Sequence, residues 1–132
     1  MKRELKGRCL CGETEYLVAD EFAYAANCHC SRCRRMTGAA FKPFAGIEVQ
    51  KFRIVRGADS IRKFGDGPYD VQCGKCGSFL CSVLRDAKLV HVNLGTLTDV
   101  PGIRPSCHIF AGSKAPWFDI TDDLPQFEGH EH

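Results

Sequence analysis

No stretch of this 132-residue chain approaches the roughly 18 consecutive apolar residues that span a bilayer, which excludes a transmembrane helix. The first residues, Met1-Lys2-Arg3-Glu4-Leu5-Lys6-Gly7-Arg8, are charged and contain no apolar run long enough for a secretory signal. Internal repeats, low-complexity tracts and linker-like segments are also missing, so a single domain is expected. Charge of one sign is not in excess either. The 18 Lys and Arg against 16 Asp and Glu give a formal +2, too little for the electrostatic footprint of phosphate binding. These absences predict a soluble, cytoplasmic protein that binds neither membrane nor nucleic acid.

Cysteine is what the chain has in abundance, nine residues in all. Seven fall into tight clusters: Cys9-Leu10-Cys11, Cys28-His29-Cys30-Ser31-Arg32-Cys33 and Cys73-Gly74-Lys75-Cys76. Cys81 and Cys107 stand outside them. A disulfide framework needs an oxidising compartment, which nothing in the N-terminus suggests, and an odd count leaves a thiol over. Metal binding fits better. Thiolates two or three positions apart in a turn can reach one ion at about 2.3 Å, and a tetrahedral zinc site is commonly assembled from two such pairs.

Cys9/Cys11 and Cys73/Cys76 lie in Gly-flanked turns of the zinc-knuckle type, and together they predict a closed four-sulfur site. Cys28, Cys30 and Cys33 can hold an ion from a single loop, which leaves a fourth position for water or substrate. A closed site reads as structural, an open one as catalytic. The distinction fails if Cys81 or Cys107 closes the second site; core packing is the default for both, and a reactive thiol is a further possibility for Cys81. Two zinc ions would carry the net charge to about −1. The flanking Lys6, Arg8, Arg32, Arg34, Arg35 and Lys75 are suited to favour thiolates and offset that charge.

Segments 13–18, 51–55, 69–73, 78–82 and 88–94 read as strands, mostly by polar–apolar alternation, and Gly or Pro punctuates between them. One short helix is predicted from Ser31 to Met36 with Ser31 as N-cap, its N-terminus favouring the neighbouring thiolates. The class is mostly β with little helix. His29, between two expected ligands, and His108 are candidates for proton transfer or for support of the ligands. His91, in an alternating strand, reads as scaffold. Arg34, Arg35, Lys42 and Arg104 are candidate partners for substrate carboxylates, and Phe41, Phe44 and Trp117 candidate walls over the metal.

Taken in order, Gly7-x-Cys9-x-Cys11-Gly12, Cys28-His29-Cys30-x-x-Cys33-Arg34-x-x-x-Gly38, Phe41, Cys73-x-x-Cys76-Gly77, Gly95-Thr96-Leu97, His108-Ile109-Phe110, Lys114-Ala115-Pro116-Trp117 and Leu124-Pro125-Gln126-Phe127 resemble the glutathione-dependent formaldehyde-activating enzyme family, which includes the centromere-protein-V type proteins. The resemblance spans residues 5–127, leaving 128–132 as a polar tail. It implies a β-tent fold of antiparallel sheets organised around two zinc ions. Cys9, Cys11, Cys73 and Cys76 would hold the structural ion, and Cys28, Cys30 and Cys33 the catalytic one. The implied activity is carbon–sulfur lyase chemistry on a small thiol such as glutathione and on formaldehyde, giving S-(hydroxymethyl)glutathione. A non-catalytic zinc module that binds a protein partner is the alternative, and a chromatin-associated binder would need a basic stripe that is not seen.

Overall fold

The computed structural model describes residues 3–84 and 86–130. Ten strands and one helix follow in chain order: β1 Glu4–Arg8, β2 Glu15–Ala19, β3 Tyr24–Cys28, α1 Ser31–Thr37, β4 Lys42–Glu48, β5 Phe52–Arg56, β6 Ile61–Phe64, β7 Tyr69–Cys73, β8 Phe79–Leu84, β9 Leu89–Asn93 and β10 His108–Ile109. They form a three-stranded sheet of order β1-β2-β5 and a seven-stranded sheet of order β10-β3-β4-β9-β8-β7-β6. The mostly-β expectation holds. The expected antiparallel pairing holds for every strand pair but one: β10 runs parallel to β3, placing His108 opposite Asn27 and Ile109 opposite Cys28.

Alternation explains which residues meet between the sheets, since successive side chains on a strand face opposite ways. Leu5, Tyr16 and Val18 of the small sheet pack with Ile47, Val71, Leu80, Val83, Val90 and Val92 of the large one. The other face of the large sheet carries a second apolar cluster of Ala26, Cys28, Cys33, Phe44, Cys107 and Ile109. A register shift between β7 and β8 pairs Val71 with Cys81 but Gln72 with Phe79, so Leu80 is the extra residue of a bulge. The bulge changes the parity of the strand. Leu80 and Cys81 both enter the inter-sheet core, whereas Phe79 and Ser82 both face the other side, where they line a cavity.

The helix is the one expected, with two differences. It runs to Thr37, and its N-cap is Cys30 rather than Ser31, the Cys30 Sγ accepting from the Cys33 amide at 3.3 Å. Gly38, at φ 66°, ends it in the left-handed conformation. At the C-terminus, the Phe110 amide donates to the Gly129 carbonyl at 2.8 Å and the His130 ring packs edge-on against Phe110, so ordered contacts reach beyond residue 127. Glu131 and His132 of the expected tail lie outside the described residues.

Gly46, in the middle of β4, is a close-approach glycine. A Cβ there would lie 2.2 Å from the Tyr24 ring, whose hydroxyl is 2.6 Å from His91 Nε2. Gly46→Ala is expected to lower the unfolding free energy by about 1–3 kcal/mol, the usual cost of overpacking, as read by chemical denaturation. An unchanged midpoint would show that the Tyr24 ring can move aside without cost.

Candidate metal centre and adjoining cavity

Cys9 follows β1 of the small sheet and Cys73 closes β7 of the large one, so the first and third cysteine clusters meet where the two sheets are joined. The sulfurs of Cys9, Cys11, Cys73 and Cys76 all lie within 4.8 Å of one another. Two of the separations are 3.6 Å, between Cys9 and Cys11, and 3.8 Å, between Cys11 and Cys73. A tetrahedron with zinc–sulfur bonds of about 2.3 Å has an edge of about 3.8 Å. All nine cysteines are free thiols, so the group is not a disulfide framework.

Each knuckle is shaped by its glycine. Gly12 at φ 81° and Gly77 at φ 80° turn the chain sharply, and their amides donate back to the carbonyls of Cys9 and Cys73. The turn frees other donors for sulfur. The Thr14 amide points at Cys9 Sγ from 3.2 Å, and the Lys75 amide at Cys73 Sγ from 3.4 Å. The Ser78 hydroxyl, 3.2 Å from Cys76 Sγ, is the leading cause that draws the Cys76 pKa down to about 5. Donors aimed at sulfur favour the thiolate, the form that binds metal.

The second group is assembled from the end of β3 and the first turn of α1. Cys28, Cys30 and Cys33 again place their sulfurs within 4.8 Å of one another. Neither Cys81 nor Cys107 belongs to it, and among the described residues no His, Asp or Glu joins it as a fourth donor. Cys81 is instead buried between the sheets, where burial raises its pKa to about 12. Cys107 packs in the second apolar cluster. Within the trio the closeness of Cys28 and Cys33 lowers the Cys28 pKa and raises that of Cys33, since one proton between the two sulfurs favours one thiolate and one thiol. Three thiolates so close cannot coexist without a cation, and a divalent metal would displace the remaining protons. Both groups therefore fit zinc in number, spacing and donor chemistry.

A cavity of about 540 Å³ opens directly beside Cys28 and Cys33. Its apolar wall includes Met36, Phe44, Phe79, Leu84 and Ile109, and its polar lining includes Arg32, Lys42, Asp70, Ser82 and His91. Arg32 pairs with Asp70, whose other oxygen accepts from the Ser82 hydroxyl at 2.6 Å. Of the carboxylate-binding candidates, Lys42 lines the cavity, while Arg34, Arg35 and Arg104 do not. Of the aromatic candidates Phe44 lines it, Phe41 packs on His29, and Trp117 is exposed. Two of the basic residues expected beside the thiolates are taken by carboxylates, Arg32 by Asp70 and Lys75 by Glu13.

His29 and His108 are brought together by the β3–β10 pairing, 79 residues apart in sequence. His29 Nε2 lies 2.8 Å from His108 Nδ1, and His108 Nε2 lies 3.0 Å from the Asp122 carboxylate. Asp122 was not foreseen; it lies in an irregular loop with no motif to mark it. The carboxylate can only accept, so His108 donates from Nε2. In the neutral ring His108 Nδ1 then accepts from His29 Nε2–H. His29 Nδ1 is left without a hydrogen-bond partner, facing the apolar neighbourhood of Phe41 and Phe118. Burial first, then the charges of His108 and Lys114, lowers the His29 pKa to about 4. The His108 contact holds Asp122 below the ordinary carboxylate range. Neither histidine lines the cavity.

The sequence model of the family described as glutathione-dependent formaldehyde-activating enzyme matches residues 4–113. Among solved structures, the crystal structure of a Rhodobacter sphaeroides protein superposes with a TM-score of 0.62 and 29% sequence identity, covering 76% of this chain and 98% of that one. No curated protein matches the chain.

The histidine pair makes a graded prediction about stability. His108→Leu removes the partner of His29 Nε2 inside the protein and is expected to cost about 1–3 kcal/mol. Asp122→Asn, at a half-exposed site, should cost clearly less. The reverse order in denaturation experiments would show that the surface contact, not the buried one, holds the pair.

Proposed function

The chain belongs to the glutathione-dependent formaldehyde-activating enzyme family, and we propose on that footing that it is a zinc-dependent carbon–sulfur lyase acting on the adduct of a small thiol with an aldehyde, as in S-(hydroxymethyl)glutathione. The observation that carries this proposal is the contrast between the sulfur groups: four cysteines in one, three in the other, with a cavity beside the three. Cys28, Cys30 and Cys33 would hold the zinc, which would supply an open position suited to lowering the pKa of a substrate thiol.

The reaction balances without an oxidant or reductant. A carbon–sulfur bond forms between thiol and carbonyl carbon, the thiol proton is lost and the carbonyl oxygen gains one; the reverse step breaks the same bond. What the protein's own residues contribute is placement and exclusion of water. Cys28 and Cys33 stand at the cavity wall, and Met36, Phe44, Phe79, Leu84 and Ile109 enclose the reacting atoms in apolar surface. Holding two small reactants together there is itself a large part of catalysis. His29 and His108 enter as support for the Cys28–Cys30 turn: the His29 amide donates to the Ile109 carbonyl at 3.0 Å, and its ring is fixed by His108 and Phe41.

The metal content provides the first test. Two zinc ions per chain are expected, of unequal lability. The Cys9, Cys11, Cys73, Cys76 ion should resist chelators, because its loss unties the two sheets. Cys73→Ser should therefore abolish folding, while Cys30→Ser should keep the fold and lose one ion by elemental analysis. At most one zinc per chain would contradict the two-site assignment.

Catalysis needs a different assay, since formaldehyde and glutathione combine spontaneously. Exchange between free and bound formaldehyde measured at equilibrium, with and without protein, isolates the catalysed rate. That rate should saturate with thiol, fall at least about 100-fold on replacing Cys28, Cys30 or Cys33, and survive Cys81→Ala. No acceleration with glutathione or shorter thiols would favour a non-catalytic zinc module.

A further inference from the structure

We infer that Lys42 is the specificity-determining cation of the cavity, selecting thiols that carry a carboxylate. The inference rests on the cavity being the thiol site and names what that site recognises beyond the sulfur.

Lys42 opens β4, and the antiparallel register places it opposite Cys28 of β3. Phe44, two residues on, faces the same side. The residue is 6% exposed, and its ammonium lies against two aromatic rings, 5.3 Å from the ring centres of both Phe44 and Phe79. Among the described residues none accepts a hydrogen bond from Nζ or forms an ion pair with it. The neighbouring charges are satisfied differently. Arg32 and Asp70 neutralise each other, and Ser82 takes the second Asp70 oxygen.

A cation in an apolar wall ordinarily has a carboxylate beside it, because cation–π contact recovers only part of its lost hydration. Here the place for that carboxylate is the cavity itself. The lining has one cation without a carboxylate partner and otherwise offers mainly apolar surface, so it suits a thiol with a carboxylate and an apolar connecting arm. Part of the Lys42 charge also acts on the cysteines, where it favours the thiolate of Cys33. A test must therefore separate recognition of the ligand from support of the metal group.

Titration calorimetry with 3-mercaptopropionic acid and with its methyl ester, on the wild-type protein and on Lys42→Met, makes that separation. The wild type should bind the acid about tenfold or more tighter than the ester, as for a charged hydrogen bond in an enclosed site. In Lys42→Met loaded to the same zinc content as the wild type, the preference should fall within about twofold, with ester affinity unchanged. Comparing ratios between the two proteins cancels the differing acidity of the two thiols. Equal binding of acid and ester to the wild type would overturn the inference while leaving the thiol site intact. A preference that survives in Lys42→Met, or an equal loss for both ligands, would overturn it too. A third ligand, 3-phenylpropionate, lacks the thiol. If it alone binds the wild type, and not Lys42→Met, the anion subsite stands and the thiol reaction falls; if none of the three binds, both fall.

Discussion

Two unit charges 4 Å apart repel by about 4 kcal/mol at an effective dielectric constant near 20, and this structure gathers seven cysteine sulfurs into two groups whose members lie within 4.8 Å of one another. Protonated thiols can share the space, as the 3.6 Å contact between the Cys9 and Cys11 sulfurs allows. Thiolates cannot, unless a cation joins them. Much else in the fold depends on how that demand is met: a metal would tie β1 to β7 through the four-sulfur group, and β3 to α1 through the three-sulfur group. For 132 residues in two sheets, such cross-links would supply order that a small core provides only in part.

The two groups differ in number of sulfurs and in surroundings. The first has donors turned toward its sulfurs from Thr14, Lys75 and Ser78, and its four members suffice in number for a tetrahedral ion. The second has three members, an amide donor from Cys33 onto Cys30, and a cavity on one side. Strand geometry creates that cavity. The bulge at Leu80 turns Phe79 and Ser82 to the same face, and the β3–β4 register sets Lys42 beside Cys28. Behind the group, the parallel pairing of β10 with β3 brings His108 onto His29.

Spacing made the sulfur groups legible in the sequence, because residues two or three apart in a turn must meet. Strands β2, β5, β7 and β9 were legible for a similar reason: each shows polar–apolar alternation. β3 and β4 were not foreseen, since Tyr24–Cys28 and Lys42–Glu48 are buried on both faces and show no alternation, and Pro43 and Gly46 look like breakers. A thiol serving as N-cap at Cys30 is also outside the usual preference for Ser, Thr, Asp or Asn. The contacts His29–His108–Asp122 and Lys42–Phe79 depend on tertiary pairing across long separations, which local pattern cannot supply. The placement of Cys81 in the inter-sheet core likewise required the bulge, not the spacing, to decide it.

Sulfur coordination of the zinc-loaded protein, measured by X-ray absorption in the absence of added thiol, bears most directly on the central claim that one site is closed and the other open. One four-sulfur and one three-sulfur site should average about 3.5 sulfurs per zinc, with the balance made up by an oxygen or nitrogen ligand. The result that would contradict it is four sulfurs at every zinc, meaning that a further protein thiol fills the second site and that the cavity beside Cys28 and Cys33 has no metal position to offer a substrate.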